Sequence, residues 1–167
     1  KTNISEMELA EFDQEDLVQK SDMVISVSNS GYIKRVPLEM YRAQKRGGKG
    51  RSGMKTSEED FVTQVFTAST HDNMLFFTST GIVYKLKTWK IPESSVTAKG
   101  KAIVNLLDMK ENSHLSSILV LPESKAASDK ELFLIFATSD GSIRKNSLED
   151  FKKIQSSGKI AMKLSQG

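Results

Sequence analysis

Residues 74–86 read MLFFTSTGIVYKL, which is the clearest structural signal in the chain. The first five residues favour a β-strand, Ser79-Thr80-Gly81 is typical of a tight turn, and Ile82 starts a second run of β-forming residues. This pattern predicts a β-hairpin. It occurs again at residues 23–36 and at residues 132–145, so the chain contains a threefold internal repeat.

The spacing of two glycine series supports the repeat. The turn glycines are Gly31, Gly81 and Gly141, and the second series consists of Gly50, Gly100 and Gly158. The first interval is 50 residues in both series, and the second is 60 residues in one and 58 in the other. Further strand candidates at residues 61–66 and 115–121 bring each unit to roughly four strands. A four-stranded unit with this period predicts a blade of a propeller-like array.

The expected fold class is therefore all-β, with about three blades. We expect an acidic leader at residues 1–22, a first blade at 23–70, a second at 71–129 and a third at 130–167 that need not be complete. Helical turns are expected at residues 148–153 and, as one short turn, within the otherwise extended acidic leader.

Charge is distributed unevenly along the chain. Residues 1–22 carry two cations and seven acids, which leaves 22 cations and 14 acids for the remainder, a net charge of +8. A basic body behind an acidic leader favours a polyanionic partner, most simply nucleic acid, although solubilising charge would give the same totals.

The strongest local charge signal is a glycine-rich basic segment at residues 44–50, reading QKRGGKG. Glycine disfavours both helix and strand interiors, so the segment is expected to be a loop whose backbone a ligand can approach closely. Between residues 34 and 55 there are eight Lys or Arg and a single acid, Glu39. Such a loop suits phosphate, although a solvated basic turn would have the same composition.

Cations also recur in the repeat itself. Arg35, Lys85 and Lys145 each stand four residues after a turn glycine, and each has a basic neighbour. Equivalent positions of a radial array share one circumference, so these side chains could contact a curved sugar-phosphate backbone without reading its sequence. Alternatively, they protect exposed strand edges. The predicted DNA-binding residues are Gln44, Lys45, Arg46, Gly47, Gly48, Lys49, Gly50, Lys34, Arg35, Arg42, Arg51, Lys55, Lys85, Lys87, Lys99, Lys101, Arg144 and Lys145.

Motifs for catalysis are missing from the sequence. Residues 48–56, GKGRSGMKT, fail as a phosphate-binding P-loop because Met54 separates Gly53 from Lys55. There is no cysteine, the two histidines lie far apart, and no serine-nucleophile motif is present. No apolar run approaches the roughly 20 residues that a membrane helix needs. We therefore predict no catalytic residue, metal, cofactor, small-molecule substrate or membrane contact for this chain.

The segment at residues 44–50 resembles the seven-residue box that distinguishes bacterial DNA gyrase A from its topoisomerase IV relative. Residues 31–34 (GYIK), 103–107 (IVNLL) and 158–164 (GKIAMKL) resemble the same family at matching intervals. The resemblance begins near Leu17 and covers nearly all of the remaining chain.

This resemblance implies a β-pinwheel, in which propeller-like blades exchange strands and DNA wraps around a basic rim. It also implies duplex DNA, the rest of gyrase A and the gyrase B protein as partners, and a bacterial cytoplasmic, nucleoid-associated location. The family's strand-passage tyrosine lies in a separate domain, so Tyr32, Tyr41 and Tyr84 are not candidates. ATP and magnesium would serve only the whole enzyme, an ATP-dependent type IIA topoisomerase.

Alternative interpretations stay open at this point: a protein-interaction propeller, or the equivalent domain of topoisomerase IV. The family usually has about six blades, so this chain would be the first half of the domain. Its last strand, near residues 160–164, would then be unpaired.

Overall fold

The computed structural model describes residues 14–42, 60–110, 112–123 and 132–163. Ten strands lie in these ranges: β1 (Asp22–Ser28), β2 (Tyr32–Pro37), β3 (Val62–Ser69), β4 (Asn73–Thr78), β5 (Ile82–Lys87), β6 (Lys101–Ala102), β7 (Leu115–Leu121), β8 (Phe133–Ala137), β9 (Ile143–Ser147) and β10 (Lys159–Ile160). The helical segments are short: an α-helix at Glu39–Arg42 and 3₁₀ helices at Thr88–Lys90, Ile103–Asn105 and Leu148–Phe151. The all-β prediction is confirmed, as is a helical turn within residues 148–153.

The strands form two four-stranded sheets and one hairpin. The first sheet has the order β3-β1-β2-β6, the second β10-β5-β4-β7, and the third hairpin pairs β8 with β9. The chain divides into two compact units, Lys1–Asp72 with Lys87–Lys101, and Asn73–Leu86 with Ala102–Gly167.

All three predicted hairpins form, and their turns share one construction. Gly31, Gly81 and Gly141 have φ values of +79°, +74° and +83°, a conformation that glycine adopts without steric cost. A hydroxyl three residues before each glycine makes a hydrogen bond within the turn, and in the first hairpin the Oγ of Ser28 accepts it from the N–H of Tyr32 at 3.3 Å. The Oγ1 of Thr78 donates to the carbonyl of Ile82 at 2.9 Å, and that of Thr138 donates to the carbonyl of Ser142 at 3.1 Å.

The second glycine series belongs to strand exchange. Strand β6 follows the second hairpin in the chain but joins the first sheet beside β2, and β10 follows the third hairpin but joins the second sheet beside β5. Lys159 pairs with Val83 and Ile160 with Ile82. The expectation of an unpaired last strand near residues 160–164 is thus wrong for β10, because an earlier hairpin supplies its partner.

The second unit has its own apolar core. Leu75, Val83, Phe151 and Ala161 are buried together, and the third hairpin packs Leu134 and Phe136 against them. The Phe77 and Phe136 rings meet edge-on with centroids 5.5 Å apart. Because side chains alternate along a strand, Phe133 and Ile135 point away from this core and are exposed.

Candidate nucleic-acid interface

The basic glycine-rich segment lies outside the described residues. This applies to Gln44, Lys45, Arg46, Gly47, Gly48, Lys49, Gly50, Arg51, Lys55 and the side chain of Arg42. Their role in DNA binding therefore stays a prediction.

The chain that follows this segment is fixed to the first hairpin by Asp60. Its side chain is only 5% exposed, and its Oδ1 accepts hydrogen bonds from the backbone N–H groups of Ser30 at 2.9 Å and Phe61 at 3.0 Å. Burial raises the pKa of the Asp60 carboxyl, but hydrogen bonds from Ser30, Ser28 and Phe61 outweigh burial and hold this pKa below its usual value. Asp60 therefore fixes the point where the chain enters β3.

Lys34 does not lie on a rim, which corrects its assignment as a phosphate contact. The side chain is fully buried, and its Nζ donates to the carbonyls of Ser95 at 3.2 Å, Val96 at 2.5 Å and Ala98 at 2.9 Å. Burial lowers the pKa of this ammonium group. Three carbonyls use all three N–H donors of a lysine, so none remains for a phosphate.

Arg35 is also engaged within the protein. Its Nε donates to the carbonyl of Ile91 at 2.6 Å, and its guanidinium forms an ion pair with Glu93 at 2.9 Å. Lys85, at the equivalent repeat position, donates to the carbonyl of Lys152 at 2.5 Å. Ile91 and Lys152 lie 10 and 11 residues after the turn glycine of the following repeat. The cation at this position therefore joins one repeat to the next.

Lys87 contacts the acidic leader. Its Nζ lies 2.6 Å from a carboxylate oxygen of Glu15 and 3.1 Å from the carbonyl of His71. DNA would have to displace this carboxylate in order to bind the Lys87 ammonium.

Two predicted cations lie at the start of the exchanged strand of the first sheet: Lys99 precedes β6, and Lys101 is its first residue. Lys101 is exposed, and the Nζ of Lys99 lies 3.9 Å from the centroid of the Tyr32 ring. A cation above an aromatic face is attracted by the ring and is held in place, yet it keeps N–H groups that can reach an anion. Tyr32 therefore contributes to the positioning of a cation.

The third hairpin carries the other two accessible cations. Arg144 and Lys145 are both exposed, and the Nζ of Lys145 lies 3.6 Å from the centroid of the Phe133 ring. The structure thus gives the predicted cations different environments: Lys34, Arg35, Lys85 and Lys87 make internal contacts, whereas Lys99, Lys101, Arg144 and Lys145 can be reached from solvent.

Sequence reasoning missed the purpose of the second glycine series. A Cβ atom at Gly100 would lie 2.5 Å from the carbonyl oxygen of Ile33 and 2.9 Å from the Cβ of Lys34, and φ is +85° at this glycine. The backbone approach at this point therefore excludes any side chain. The recurrence of Gly100 and Gly158 with one period was the available signal.

Comparison with known proteins supports one family. The family model described as "DNA gyrase C-terminal domain, beta-propeller" matches residues 22–69, 72–122 and 133–167. The DNA gyrase A protein of Rickettsia prowazekii (strain Madrid E) is 52% identical over 165 residues, which are 98% of this chain and 18% of that protein. The chain therefore spans less than a fifth of the length of this relative.

Two solved structures share the fold. The C-terminal domain of DNA topoisomerase IV gives a TM-score of 0.67 at 20% identity, covering 84% of this chain and 41% of that one. The DNA gyrase A C-terminal domain gives a TM-score of 0.64 at 25% identity, covering 87% and 44%. With the family match spread over all three repeats, the chain belongs to the DNA gyrase C-terminal domain family of beta-propellers.

Proposed function

We propose that this chain binds duplex DNA without sequence preference and bends it, as the DNA-wrapping part of a gyrase A protein. One observation carries the proposal: a member of the gyrase C-terminal domain family has eight Lys or Arg and one acid between residues 34 and 55, around the glycine-rich segment QKRGGKG. Phosphate contacts from lysine and arginine position DNA regardless of its sequence.

A surface that bends DNA must supply enough binding free energy to offset the cost of bending. Bending 20–30 base pairs by 40–90° costs on the order of 1–6 kcal/mol, which further phosphate contacts along the curved path must offset. Glycines such as Gly47 and Gly48 would let the DNA backbone approach closely, and the neighbouring cations would neutralise phosphates. Lys99 and Lys101 would add contacts from the exchanged strand of the first sheet.

The same proposal assigns no catalytic step to this chain. A groove of about 410 Å³ in the second unit is lined by apolar and hydroxyl side chains such as Phe77, Ile118 and Thr138, without a titratable group among the described residues. The Tyr84 hydroxyl, in the core of the second sheet, is buried. The part of the chain that the structure describes contains no cluster of three potential metal ligands.

Within the whole enzyme, the proposed partners are duplex DNA, the rest of gyrase A and the gyrase B protein. The wrap would support negative supercoiling, with ATP, magnesium and the strand-passage tyrosine supplied outside this chain. The proposed location is the bacterial cytoplasm, in association with the nucleoid. In the ranges that the structure describes, no helix is long and apolar enough to cross a membrane.

A second candidate function is the binding of another protein through the third hairpin. Its outward face exposes Phe133, Ile135 and Ile143 by 40%, 72% and 76%. Apolar side chains in such a group are typical of protein contacts. If the chain binds a protein, that binding is expected to depend only weakly on salt and not to require Lys45, Arg46 or Lys49.

A salt series distinguishes the two functions. A duplex of about 150 base pairs, one DNA persistence length, carries a fluorophore at each end, and both affinity and end-to-end distance are measured. The intact chain is compared with a variant in which Lys45, Arg46 and Lys49 are alanine. DNA wrapping predicts that the ends approach each other on binding, and that each phosphate contact adds about −0.9 to the slope of log K against log salt.

The variant is expected to bind more weakly and to leave the ends apart. If the intact chain fails to bind the duplex at low salt, the proposal is wrong and the protein-binding candidate is favoured.

A further inference from the structure

Lys34 forms an internal cap on the chain between β5 and β6. The three carbonyls that its ammonium group contacts, those of Ser95, Val96 and Ala98, point inward around one turn, which also contains a hydrogen bond from the N–H of Ala98 to the carbonyl of Ser95 at 3.2 Å. Wholly or partly buried carbonyls need donors, and here a single side chain from β2 supplies them. Lys34 is the one donor among these hydrogen bonds that reaches all three carbonyls, so it holds them around one point.

A second restraint acts two residues further along. The backbone of Gly100 lies against Ile33 and Lys34 so closely that a Cβ atom would be 2.5 Å from the Ile33 oxygen. Lys34 therefore lies against this segment at two places, with its ammonium group at residues 95–98 and with its Cβ beside Gly100. These two restraints, together with the pairing of β6 with β2, hold residues 95–101 along β2.

The cations that this path carries are Lys99 and Lys101, on either side of Gly100. Lys99 lies over the ring of Tyr32, which is itself the first residue of β2, and Lys101 begins β6. The positions of both ammonium groups therefore depend on how residues 95–101 are held against β2.

We propose that Lys34 is a positioning residue for DNA binding: it does not contact phosphate but holds the segment that presents Lys99 and Lys101 to the DNA backbone. This proposal rests on the proposed function. It differs from the sequence-based assignment, which made Lys34 a phosphate contact like the others.

The test measures duplex affinity for Lys34→Met in two backgrounds, the original chain and a Lys99→Ala/Lys101→Ala variant, at a temperature at which every variant is folded. Loss of Lys99 and Lys101 is expected to weaken binding by roughly 60-fold near 0.1 M salt and to reduce the salt slope by about 1.8. Lys34→Met is expected to weaken binding about tenfold in the original chain, but less than twofold in the variant background.

Gly100→Ala supplies a test that leaves every charge in place. It pushes the segment away from β2 and is expected to weaken binding about as much as Lys34→Met. Gly31→Ala is the matched control, because φ is +79° there and a Cβ atom would meet nothing within 4 Å. The control is expected to change affinity less than twofold. If Lys34→Met does not fold, the duplex affinities of Gly100→Ala and Gly31→Ala test the proposal instead.

Three results would overturn the proposal while the intact chain still binds DNA. An equal loss of about eightfold in both backgrounds, with a slope reduced by 0.9, would make Lys34 a phosphate contact. Unchanged affinity in folded Lys34→Met, or in Gly100→Ala where Lys34→Met does not fold, would leave Lys34 a purely structural role. Unchanged affinity on loss of Lys99 and Lys101 would remove the contacts that it is proposed to position. An intact chain that does not bind the duplex would instead contradict the proposed function itself.

Discussion

Lys34 in the first sheet and Arg144 in the third hairpin stand at the same place in the repeat, three residues after a turn glycine, yet their environments are opposite. Lys34 is fully buried beneath residues 95–100, whereas Arg144 is exposed. The first sheet has β6 along the edge of β2, and in the described part of the chain β9 pairs only with β8. A cation at this position is thus structural where an exchanged strand covers it.

The second sheet shows that the covering strand, rather than the cation, is the constant feature. Tyr84 occupies the equivalent place and is only 2% exposed. A Cβ atom at Gly158 would lie 2.9 Å from the Cε1 of Tyr84 and 2.6 Å from the Cγ2 of Ile82. Glycine at the exchanged strand therefore recurs in both sheets, while the side chain beneath it changes from lysine to tyrosine.

The largest difference in stability that this comparison predicts is between variants of Lys34 and of Arg144. Lys34→Met leaves three carbonyls without a charged donor and is expected to lower the free energy of unfolding by about 2–4 kcal/mol. Arg144→Met, at the exposed equivalent position, is expected to change it by less than about 0.5 kcal/mol. Urea unfolding of both variants measures the difference. Equal effects would show that the exchanged strand does not distinguish the two positions.

The next largest difference distinguishes steric contact with a neighbouring strand from backbone strain at the glycine. Gly158→Ala and Gly141→Ala both place a side chain at a φ of +83°, which costs about 1–2 kcal/mol. Only Gly158→Ala also meets Ile82 and Tyr84, which adds about 1–3 kcal/mol of overpacking. Thermal unfolding should therefore rank Gly158→Ala as the less stable variant. If Gly141→Ala is destabilised as much, contact with β5 does not explain the glycine.

The smallest expected effect is on the pH dependence of stability. It is seen by comparing Asp60, which is buried beside the first hairpin, with Asp140, which is exposed in the third. Hydrogen bonds lower the pKa of both carboxyls, those to Asp140 coming from Thr138 and Ser142. A carboxyl whose pKa is lower in the folded state stabilises the fold above its unfolded value, near 3.8, and loses that contribution as pH falls through the folded value.

Asp60→Asn is therefore expected to melt at a lower temperature than the intact chain at pH 7, and the gap should close below about pH 4. Asp140→Asn should show a smaller gap at pH 7, because water competes for the exposed hydrogen bonds. Melting curves between pH 3 and pH 7 measure both gaps. A gap for Asp60→Asn that widens as pH falls would contradict the assigned direction of the pKa.

The sequence was sufficient to predict the hairpins, because strand propensity and turn chemistry act within a few residues. It was not sufficient for β6 and β10, which are two residues long and carry no periodic pattern. The environment of Lys34 could not be predicted either, since its burial depends on carbonyls more than 60 residues away. Strand exchange was expected from the family resemblance alone, and the sheet order confirms it.

The same limit applies to the candidate interface. A lysine that contacts DNA from a rim and a lysine that caps a buried turn can have the same spacing in the sequence. Only the tertiary contacts distinguish the two. Arg35 and Lys85 repeat at one interval because each joins neighbouring repeats, which is a structural reason for the periodicity.

The central proposal is that the cations divide into those that make contacts within the protein and those that bind DNA. Amine acylation of each lysine, followed by mass spectrometry with and without duplex DNA, tests it most directly. The account predicts that Lys34 stays unmodified in both states, whereas Lys99 and Lys101 react in the free chain and are protected by DNA. Rapid modification of Lys34 in the free chain with protection by DNA, or no protection of Lys99 and Lys101, would contradict it.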